Sequence, residues 1–427
     1  MPVSPDSRVL HIDITGPDRS GVTHALTSIL GRSGARILDI GQAVIHDALA
    51  LGMLVELTDQ MKASPMLSEL LLKAHELGVQ IRFTSASGED YQAWVTGQSK
   101  GRYLISVLGP TLTAAHLADV SGAIAHAGLN IDRIDRLSGR TPLEPADGLA
   151  RVCFELAASG DLANEVALRA DLMALTSQHD IDIAFQEDTA YRRHRRLVAF
   201  DMDSTLIQTE VIDELAKLAG VGEQVQAITE AAMRGELDFQ ASFRQRVALL
   251  KGLPETALQQ VIDTVPLMDG AERLISTLRR LGYRTAILSG GFTFVGRELQ
   301  RRLGIDYLHA NELDIRDGVV TGLVREPIVD GARKAFHLTE IATAEGLNME
   351  QVIAVGDGAN DLPMLELAGL GIAFRAKPVV RRSARQSIST LGLDGILYLI
   401  GVRDREALGG PASPLASQGR TPCPSEI

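Results

Sequence analysis

The first half of the chain shows one hydrophobic pattern twice. Between residue 8 and about residue 187, alternating apolar–polar stretches and helical stretches follow the order strand, helix, strand, strand, helix, strand, and then repeat. "RVLHIDITG" at the start returns as "RYLISVLGP", and Gly16-Pro17 returns as Gly109-Pro110. This order is the split form of the ferredoxin-like fold. We predict α+β modules at residues 1–90 and 100–188, joined by a linker, "SASGEDYQAWVTGQSKG".

The pattern changes after Arg195 to strands and helices in alternation. The runs "RLVAF", "RTAILS" and "QVIAVG" are continuously apolar, which is typical of parallel strands buried on both faces. We predict an α/β domain with a Rossmann-like parallel sheet at 195–402, interrupted by a helical insertion at about 211–266. The remaining stretch, 403–427, is rich in Pro, Gly and Ser, and we predict that it is disordered.

Composition excludes several classes of protein. The formal charge of −12 and the pI of about 5.4 argue against nucleic acid or an anionic membrane as the main partner. The sequence has no apolar run near the ~20 residues that span a bilayer. Its two cysteines, Cys153 and Cys423, suggest neither a disulfide framework nor a metal knuckle. We expect a protein of the reducing cytoplasm.

Polar side chains follow the predicted parallel strands where each strand ends. Asp201 and Asp203 come directly after the first strand, and their spacing of two places them on the same side. Ser289 ends the second strand and Asp357 follows the third, while Lys334 lies on the helix that leads to it. Each alone is compatible with turn chemistry. Together they indicate a site, because open α/β sheets bind ligands at their carboxyl ends.

Two other binding loops do not fit the sequence. A calcium-binding loop starting at Asp201 would need Gly at its sixth position and Glu at its twelfth, where the chain has Leu206 and Ile212. No glycine-rich nucleotide loop of the dinucleotide or P-loop type follows a strand.

Four motifs resemble those of the haloacid dehalogenase superfamily of phosphohydrolases. They are "DMDSTL", "LSGG", Lys334 in "GARKAF", and "GDGANDLPML", in that order, within a resemblance that covers about 195–402. The insertion, which begins "EVIDELAKLAGV", resembles the helical cap of the phosphoserine phosphatases. The two N-terminal modules resemble ACT domains, which often bind amino acids, on their fold pattern and on "GPDRSGV".

The resemblance implies a role for each strand-end residue. Asp201 would be the nucleophile that forms an aspartyl-phosphate, and Asp203 the general acid and then base. Mg²⁺ would be held by Asp201, Asp357 and the backbone carbonyl of Asp203. The phosphoryl oxygens would be bound by Lys334, Ser289, backbone N–H groups near Gly290, and Asn360, which contacts either the phosphate or the water. Asp361 would be a hydrogen-bond partner of these groups rather than a metal ligand.

The cap would select the substrate. By the resemblance, Glu210 would bind the ammonium of O-phospho-L-serine and Arg246 its α-carboxylate. Met233 and Phe239 would form an apolar rim, or belong to the core. The implied reaction releases L-serine and phosphate, the last step of phosphorylated serine biosynthesis. Two alternatives stay open, another small phosphomonoester or phosphoryl acceptor and an inactive serine sensor, although nothing structural requires all of the strand-end residues in a sensor.

The N-terminal modules suggest regulation. Gly16, Asp18 and Gly21 lie at a strand-to-helix junction where ACT domains present backbone groups to an effector, and serine is the effector we expect. A tight turn that merely needs glycine explains the same residues. The second copy, "GPTLTAAHL", lacks the Asp and the second Gly. Exposed sheet edges in such modules favour pairing, so we predict a homodimer through the ACT modules.

Overall fold

A computed structural model describes residues 8–57, 65–97, 100–140 and 151–407. The chain forms two compact units, one ending at Lys100 and the other beginning at Gly101. Ser64, Cys423 and residues 408–427 of the predicted tail lie outside the described residues. Within them, no helix is long and apolar enough to cross a membrane.

Module 1 has the predicted order of strands and helices. Its four-stranded antiparallel sheet runs β2-β3-β1-β4, and one face packs on two helices around Ile12, Leu26 and Leu70. Gly78, in the left-handed conformation, ends the second helix. The elements are β1 (Arg8–Pro17), α1 (Val22–Arg32), β2 (Arg36–Ile45), β3 (Ala48–Leu57), α2 (Met66–Leu77) and β4 (Gln80–Ser87).

The predicted linker contains a helix, α3 (Gly88–Thr96). Ser87 caps it, since the Ser87 hydroxyl accepts from the Asp90 N–H at 3.0 Å and the Asp90 carboxylate accepts from the Ser87 N–H at 3.2 Å. The Ser-x-x-Asp spacing of this reciprocal cap is visible in the sequence. The linker prediction overlooked it.

Module 2 repeats the fold with the order β6-β7-β5-β8. Ile105, Val120 and Leu156 lie in the core between the sheet and its two helices. The elements are β5 (Gly101–Gly109), α4 (Ala114–His126), β6 (Leu129–Arg136), β7 (Val152–Gly160), α5 (Glu165–His179) and β8 (Asp182–Glu187).

The C-terminal domain contains a six-stranded parallel sheet in the order β11-β10-β9-β14-β15-β16, with β9 near its centre. Together with the two modules, this sheet confirms the predicted fold class. The strands are β9 (Leu197–Phe200), β10 (Arg284–Phe292), β11 (Tyr307–Asn311), β14 (Val352–Gly356), β15 (Leu370–Phe374) and β16 (Gln386–Ile388).

Four helices form the insertion after β9, and a hairpin lies beside it. The cap helices are α6 (Val211–Ala219), α7 (Gly222–Met233), α8 (Phe239–Leu249) and α9 (Glu255–Thr264). The hairpin β12 (Leu313–Arg316) and β13 (Val319–Val324) turns at Asp317-Gly318, both with positive φ as this tight turn requires. The other helices are α10 (Ala271–Arg280), α11 (Thr293–Leu303), α12 (Gly331–Ala344), α13 (Leu362–Leu367), α14 (Pro378–Ser383), α15 (Ile396–Leu399) and α16 (Asp404–Ala407).

Helix α16 differs from the predicted disordered tail, which was expected to begin at 403. Asp404 is buried and accepts hydrogen bonds from the Gly139 N–H and the Tyr398 hydroxyl, and it pairs with Arg273 at 2.7 Å. Gly139 and Arg273 lie far from Asp404 in the chain, so the local sequence shows no sign of these contacts.

Module 2 and the C-terminal domain share one core. The sheet face of module 2 that points away from its own helices carries Leu108, Cys153 and Ala184, which belong to the same buried cluster as Leu397 and Leu399. The contact also contains buried polar groups. Glu155 pairs with Arg192, Gln186 donates to the Leu399 carbonyl, and Asp182 accepts from the N–H groups of Ser389 and Thr390.

Candidate active site

A cavity of about 720 Å³ lies at the carboxyl ends of β9, β10 and β14, next to the cap helices. Strand-end, cap and loop residues line it together. Of the residues predicted to act, the cavity lining includes Asp201, Asp203, Glu210, Arg246, Ser289, Gly290, Asp357 and Asn360. The structure therefore brings together residues that are up to 159 positions apart in the chain (201 to 360).

Asp201 occupies the end of the central strand. Its N–H donates to the Val355 carbonyl at 2.9 Å, which extends the pairing of β9 with β14 by one residue and fixes the backbone. The side chain is buried, and its Oδ1 accepts from the Met202 N–H at 2.8 Å. Lys334 Nζ lies 2.8 Å from the same oxygen. The second oxygen, Oδ2, has no hydrogen bond to a described residue.

Lys334 is fully buried and links two carboxylates. Asp330 caps α12 by accepting from the Arg333 N–H, and the first turn then places Lys334 against the strand ends. Its Nζ donates to Asp361 Oδ1 at 2.6 Å, and Asp361 Oδ2 accepts from the Gly358 N–H at 3.0 Å. Burial alone would lower the pKa of Lys334, but the negative charges of Asp201 and Asp361 outweigh it and raise the pKa.

Three carboxylates form a cluster that is suited to a metal ion. Oxygen atoms of Asp201, Asp357 and Asp361 lie within 4.8 Å of one another. Burial, with the charges of Asp201 and Asp361, raises the pKa of Asp357 to about 8, and burial and Asp201 raise that of Asp361 to about 6. Lys334 alone does not balance these charges. An all-oxygen donor set with excess negative charge fits a hard divalent cation such as Mg²⁺.

Asp203 has a different environment from Asp201. Its Oδ1 accepts only a long bond from the Val211 N–H, at 3.3 Å, and Lys334 forms no ion pair with it. Its Oδ2 packs so closely on Gly291 that any Cβ there would overlap it, which explains the second glycine of "LSGG". Burial raises the pKa of Asp203 well above its usual range, and the charges of Glu210 and Asp201 add to the effect. A carboxyl group with a raised pKa suits the role of a general acid.

Ser289 and its neighbours offer hydrogen-bond donors to the cavity. Ser289 is buried in β10, just past the point where its pairing with β9 ends, and its Oγ accepts from the Gly291 N–H at 2.9 Å, which orients the hydroxyl group. Gly290 and Asn360 line the cavity beside it. Donors of this kind suit the oxygens of a phosphoryl group.

The cap contributes a cation to the cavity. Arg246, on α8, is half-buried, and its Nε is buried without a hydrogen bond to any residue that the structure describes. Burial lowers the pKa of Arg246, an effect that the negative charges of Glu210 and Asp213 partly offset. Arg244, two residues earlier, is exposed and pairs with Glu326 at 2.8 Å. The two arginines therefore differ, since Arg246 lines the cavity and Arg244 lies on a solvated face.

Several residues that line the cavity were missed in the sequence, among them Ser242, Asp213 and Lys377. Ser242 lies one turn before Arg246 on α8, is buried, and has an Oγ without a hydrogen-bond partner. Asp213 lies on α6 near Arg246, and burial raises its pKa. Lys377 follows β15, so the strand-end rule that found Asp357 would also have found it.

Of the two residues predicted for the apolar rim, Phe239 lines the cavity and stacks on Phe243, so it belongs to both the rim and the core. The side chain of Met233 lies outside the described part.

The three residues predicted to bind an effector do not all line one cavity in module 1. Asp18 and Gly21 line a cavity of about 420 Å³ at the start of α1, together with Arg19, His24 and Gln42. Gly16 lies apart from this lining. It has a φ of 157° and packs on Val79, where a Cβ would approach within 3.0 Å. The close packing on Val79 therefore explains the glycine at position 16 without an effector.

The domains match known families. Residues 195–369 match the haloacid dehalogenase-like hydrolases, and residues 8–84 and 102–186 each match an ACT domain family. The protein is therefore a haloacid dehalogenase-like phosphatase preceded by two ACT domains. Phosphoserine phosphatase SerB2 of Mycobacterium tuberculosis is 41% identical to this chain over 92% of both chains. The present chain belongs to the phosphoserine phosphatase family.

Other relatives agree with this assignment. Phosphoserine phosphatase of Streptomyces coelicolor is 41% identical over 94% of both chains. Among solved structures, a haloacid dehalogenase family hydrolase from Salmonella enterica serovar Typhi is 33% identical, with a TM-score of 0.60, and the match covers 70% of this chain and 99% of that one.

Proposed function

We propose that the protein hydrolyses O-phospho-L-serine to L-serine and phosphate, as the names of its relatives suggest. The observation that carries the proposal is that one cavity contains both the strand-end carboxylates and a cap arginine whose Nε has no hydrogen bond to a described residue. The carboxylates offer a nucleophile for a phosphoryl group and ligands for a metal ion, while the arginine suits a substrate carboxylate. Phosphoserine carries both anionic groups on one small molecule.

At the phosphate end, Asp201 attacks phosphorus and the bond from phosphorus to the serine oxygen breaks. Asp203, with its raised pKa, donates a proton to the leaving oxygen. It then accepts a proton from the water that hydrolyses the aspartyl-phosphate. The different environments of the two aspartates support this division, because Asp201 forms an ion pair with Lys334 at 2.8 Å and Asp203 forms none with it.

Mg²⁺ is the cofactor of this proposal. Asp201, Asp357 and the backbone carbonyl of Asp203 would hold it, and when bound it screens the charge between the nucleophile and the phosphate. Asp361 keeps the role of positioning Lys334, since both of its oxygens already accept hydrogen bonds. Lys334 and Ser289 bind the phosphoryl oxygens with the N–H groups near Gly290 and with Asn360.

At the other end, two donors on α8 meet the substrate carboxylate. Arg246 and Ser242 are four residues apart and so lie on one face of the helix. Each has a buried polar atom without a hydrogen bond to the described part of the chain, and such atoms are costly unless a ligand satisfies them. Glu210 binds the ammonium group. The Ser204 hydroxyl donates a hydrogen bond to Glu210 Oε1 at 3.0 Å and so positions this carboxylate.

The direct test is phosphate release from L-phosphoserine with Mg²⁺, with EDTA, and by the Asp201→Asn variant. We expect turnover only with Mg²⁺ and the wild-type carboxylate, because the amide is a poor nucleophile. Circular dichroism checks that the variant is folded. Turnover by a clean Asp201→Asn preparation at the wild-type rate would refute the mechanism.

Substrate recognition has its own test. Arg246→Lys should lower kcat/KM for phosphoserine by about tenfold or more, since lysine cannot bind a carboxylate through two parallel bonds. The matched control is Arg244→Lys on the same helix, which should change little. A generic aryl phosphate, which lacks the α-carboxylate, should be hydrolysed equally by both variants. Equal losses on both substrates would remove Arg246 from carboxylate recognition.

For the ACT modules we propose serine binding and homodimer formation. The cavity that contains Asp18 and Gly21 supports the first, because it offers acidic, basic and backbone groups to a zwitterion. The edge strand β2 supports the second, because it exposes Ile37, Ile40, Val44 and Ile45 beside unpaired backbone groups. Light scattering of the full chain tests the dimer, and a monomer at micromolar concentration would exclude it.

A further inference from the structure

A groove of about 450 Å³ lies between α5 of module 2 and the α14–β16 segment of the phosphatase domain. Both walls belong to the same compact unit. Its apolar part consists of Leu172, Ile183 and Phe185, which are buried, with Val166 and Met173 exposed at the rim. The volume is within the range of small-molecule sites.

The charge of this groove is opposite to that of the chain. Four arginines line it and no lining residue is acidic, although the chain carries −12 overall. Arg169 is already engaged, since it pairs with Glu165 at 2.7 Å and donates to the Arg385 carbonyl. The side chains of Arg381, Arg382 and Arg385 form no ion pair or hydrogen bond with any residue in the described ranges. A local excess of cations in an acidic protein attracts anions.

The walls of the groove are held in place. Gln386, at the start of β16, accepts from the Phe185 N–H at 2.9 Å and donates to the Phe185 carbonyl at 2.5 Å, so its side chain pairs like a neighbouring strand. Asp182 accepts three further hydrogen bonds of 2.6–2.8 Å, from the Ser389 N–H and from the N–H and hydroxyl groups of Thr390. A ligand would therefore meet a preformed site, which lowers the ordering cost of binding.

The same short segment reaches the active site. Lys377, which lines the catalytic cavity, immediately precedes α14, and Arg381 and Arg382 lie in the last turn of that six-residue helix. Any ligand held by these arginines would act on the helix that starts at the cavity.

We propose that this groove binds a small organic dianion that combines an apolar group with two carboxylates or one phosphate. We further infer, on the basis of the proposed function, that its occupancy alters substrate affinity through α14 and Lys377. The apolar floor receives the apolar group, and the arginines bind the charged groups.

The experiment uses the full-length protein with phthalate and phenylphosphonate, which are aromatic dianions that a phosphatase does not hydrolyse. Calorimetric titration should show one saturable site per chain, and the tighter probe identifies the preferred acid. Sulfate, which has no apolar part, should bind at least tenfold more weakly. Arg381→Ser/Arg382→Ser should weaken the probe at least tenfold. Arg301→Ser/Arg302→Ser, which removes the same charge from exposed positions on α11, should leave its affinity unchanged.

Several results would overturn the site. They are no binding to the wild type, equal binding to both double variants, or competition between probe and phosphoserine for one position. The coupling is measured separately, as the change in KM for phosphoserine at saturating phthalate. We expect a change of threefold or more in the wild type and in Arg301→Ser/Arg302→Ser, and none in Arg381→Ser/Arg382→Ser. Binding without such a change would overturn the coupling, and phosphatase failure alone would leave the titration intact.

Discussion

The two ACT modules have the same fold but differ in the outer face of the sheet. In module 1 this face carries His11 and Asp13 and borders a cavity of about 510 Å³ that includes Trp94. In module 2 the corresponding face carries Leu108 and Cys153, and it is buried against the phosphatase domain. One copy of the fold thus became part of the enzyme's core, while the other kept a face of its own.

The difference teaches that a repeated fold does not imply a repeated role. Because a β-strand directs alternate residues to opposite faces, a module can change what its outer face contacts without disturbing its own core. The internal faces of both sheets remain aliphatic, with Ile12 and Ile14 in one and Ile105 and Val107 in the other. The outer positions determine the contacts.

The largest effect on folding and activity is expected when module 2 is removed. A chain that begins at Gly101 keeps the shared core, and we expect it to fold and to hydrolyse phosphoserine. A chain that begins at Tyr191 would expose Leu397 and Leu399 and leave Arg192 without Glu155, so we expect aggregation and little activity. Size-exclusion chromatography and phosphate release measure both. An active monomer beginning at Tyr191 would show that the shared core is dispensable.

A smaller but still large effect is expected at the buried ion pair. Glu155→Gln leaves the Arg192 guanidinium buried without its counter-charge, which costs about 3–5 kcal/mol in comparable cases. Urea unfolding followed by circular dichroism and by residual activity should show the loss. The double variant Glu155→Leu/Arg192→Met removes both charges and should recover most of the stability. A double variant as unstable as Glu155→Gln would show that lost packing, rather than the charge, causes the effect.

Part of this contrast could be predicted from the sequence. "RVLHIDITG" alternates, as expected for a strand with one solvated face, whereas "RYLISVLGP" is more continuously apolar, as expected for burial on both faces. The apolar pattern predicts that both faces of β5 are buried, but it does not predict which part of the chain covers the outer face. Glu155 and Arg192 are 37 residues apart, and each alone resembles an ordinary surface charge. Their pairing depends on tertiary contacts that no local pattern encodes.

The active site was more predictable than the junction between the domains. Asp201, Ser289 and Asp357 obey a rule of backbone geometry, since parallel strands end at one edge of the sheet. Lys377 obeys the same rule and was overlooked because no motif singled it out. Ser242 has no such rule, because a serine on a helix is informative only when packing shows its hydroxyl buried without a partner.

The next effect concerns effector binding. Serine titrated into the full-length protein should bind, and Asp18→Ala should weaken it by about tenfold, or about 1.4 kcal/mol, through loss of a carboxylate that receives the ammonium. The matched control is Thr111→Ala, at the corresponding position after Gly109-Pro110 in module 2, which should change nothing. Equal weakening by both variants would place the ligand across both modules or elsewhere.

The smallest effect is expected on the open face of module 1. Asp13 pairs there with Arg82 at 3.2 Å, and the arginine side chain is 79% exposed. Asp13→Asn should therefore cost no more than about 1 kcal/mol, because solvent screens exposed pairs. Trp94, the only tryptophan of the chain, lies on α3 beside this face, so its emission in urea reports on module 1. A loss as large as that of Glu155→Gln would mean that this face is covered in solution, and the contrast between the two modules would fail.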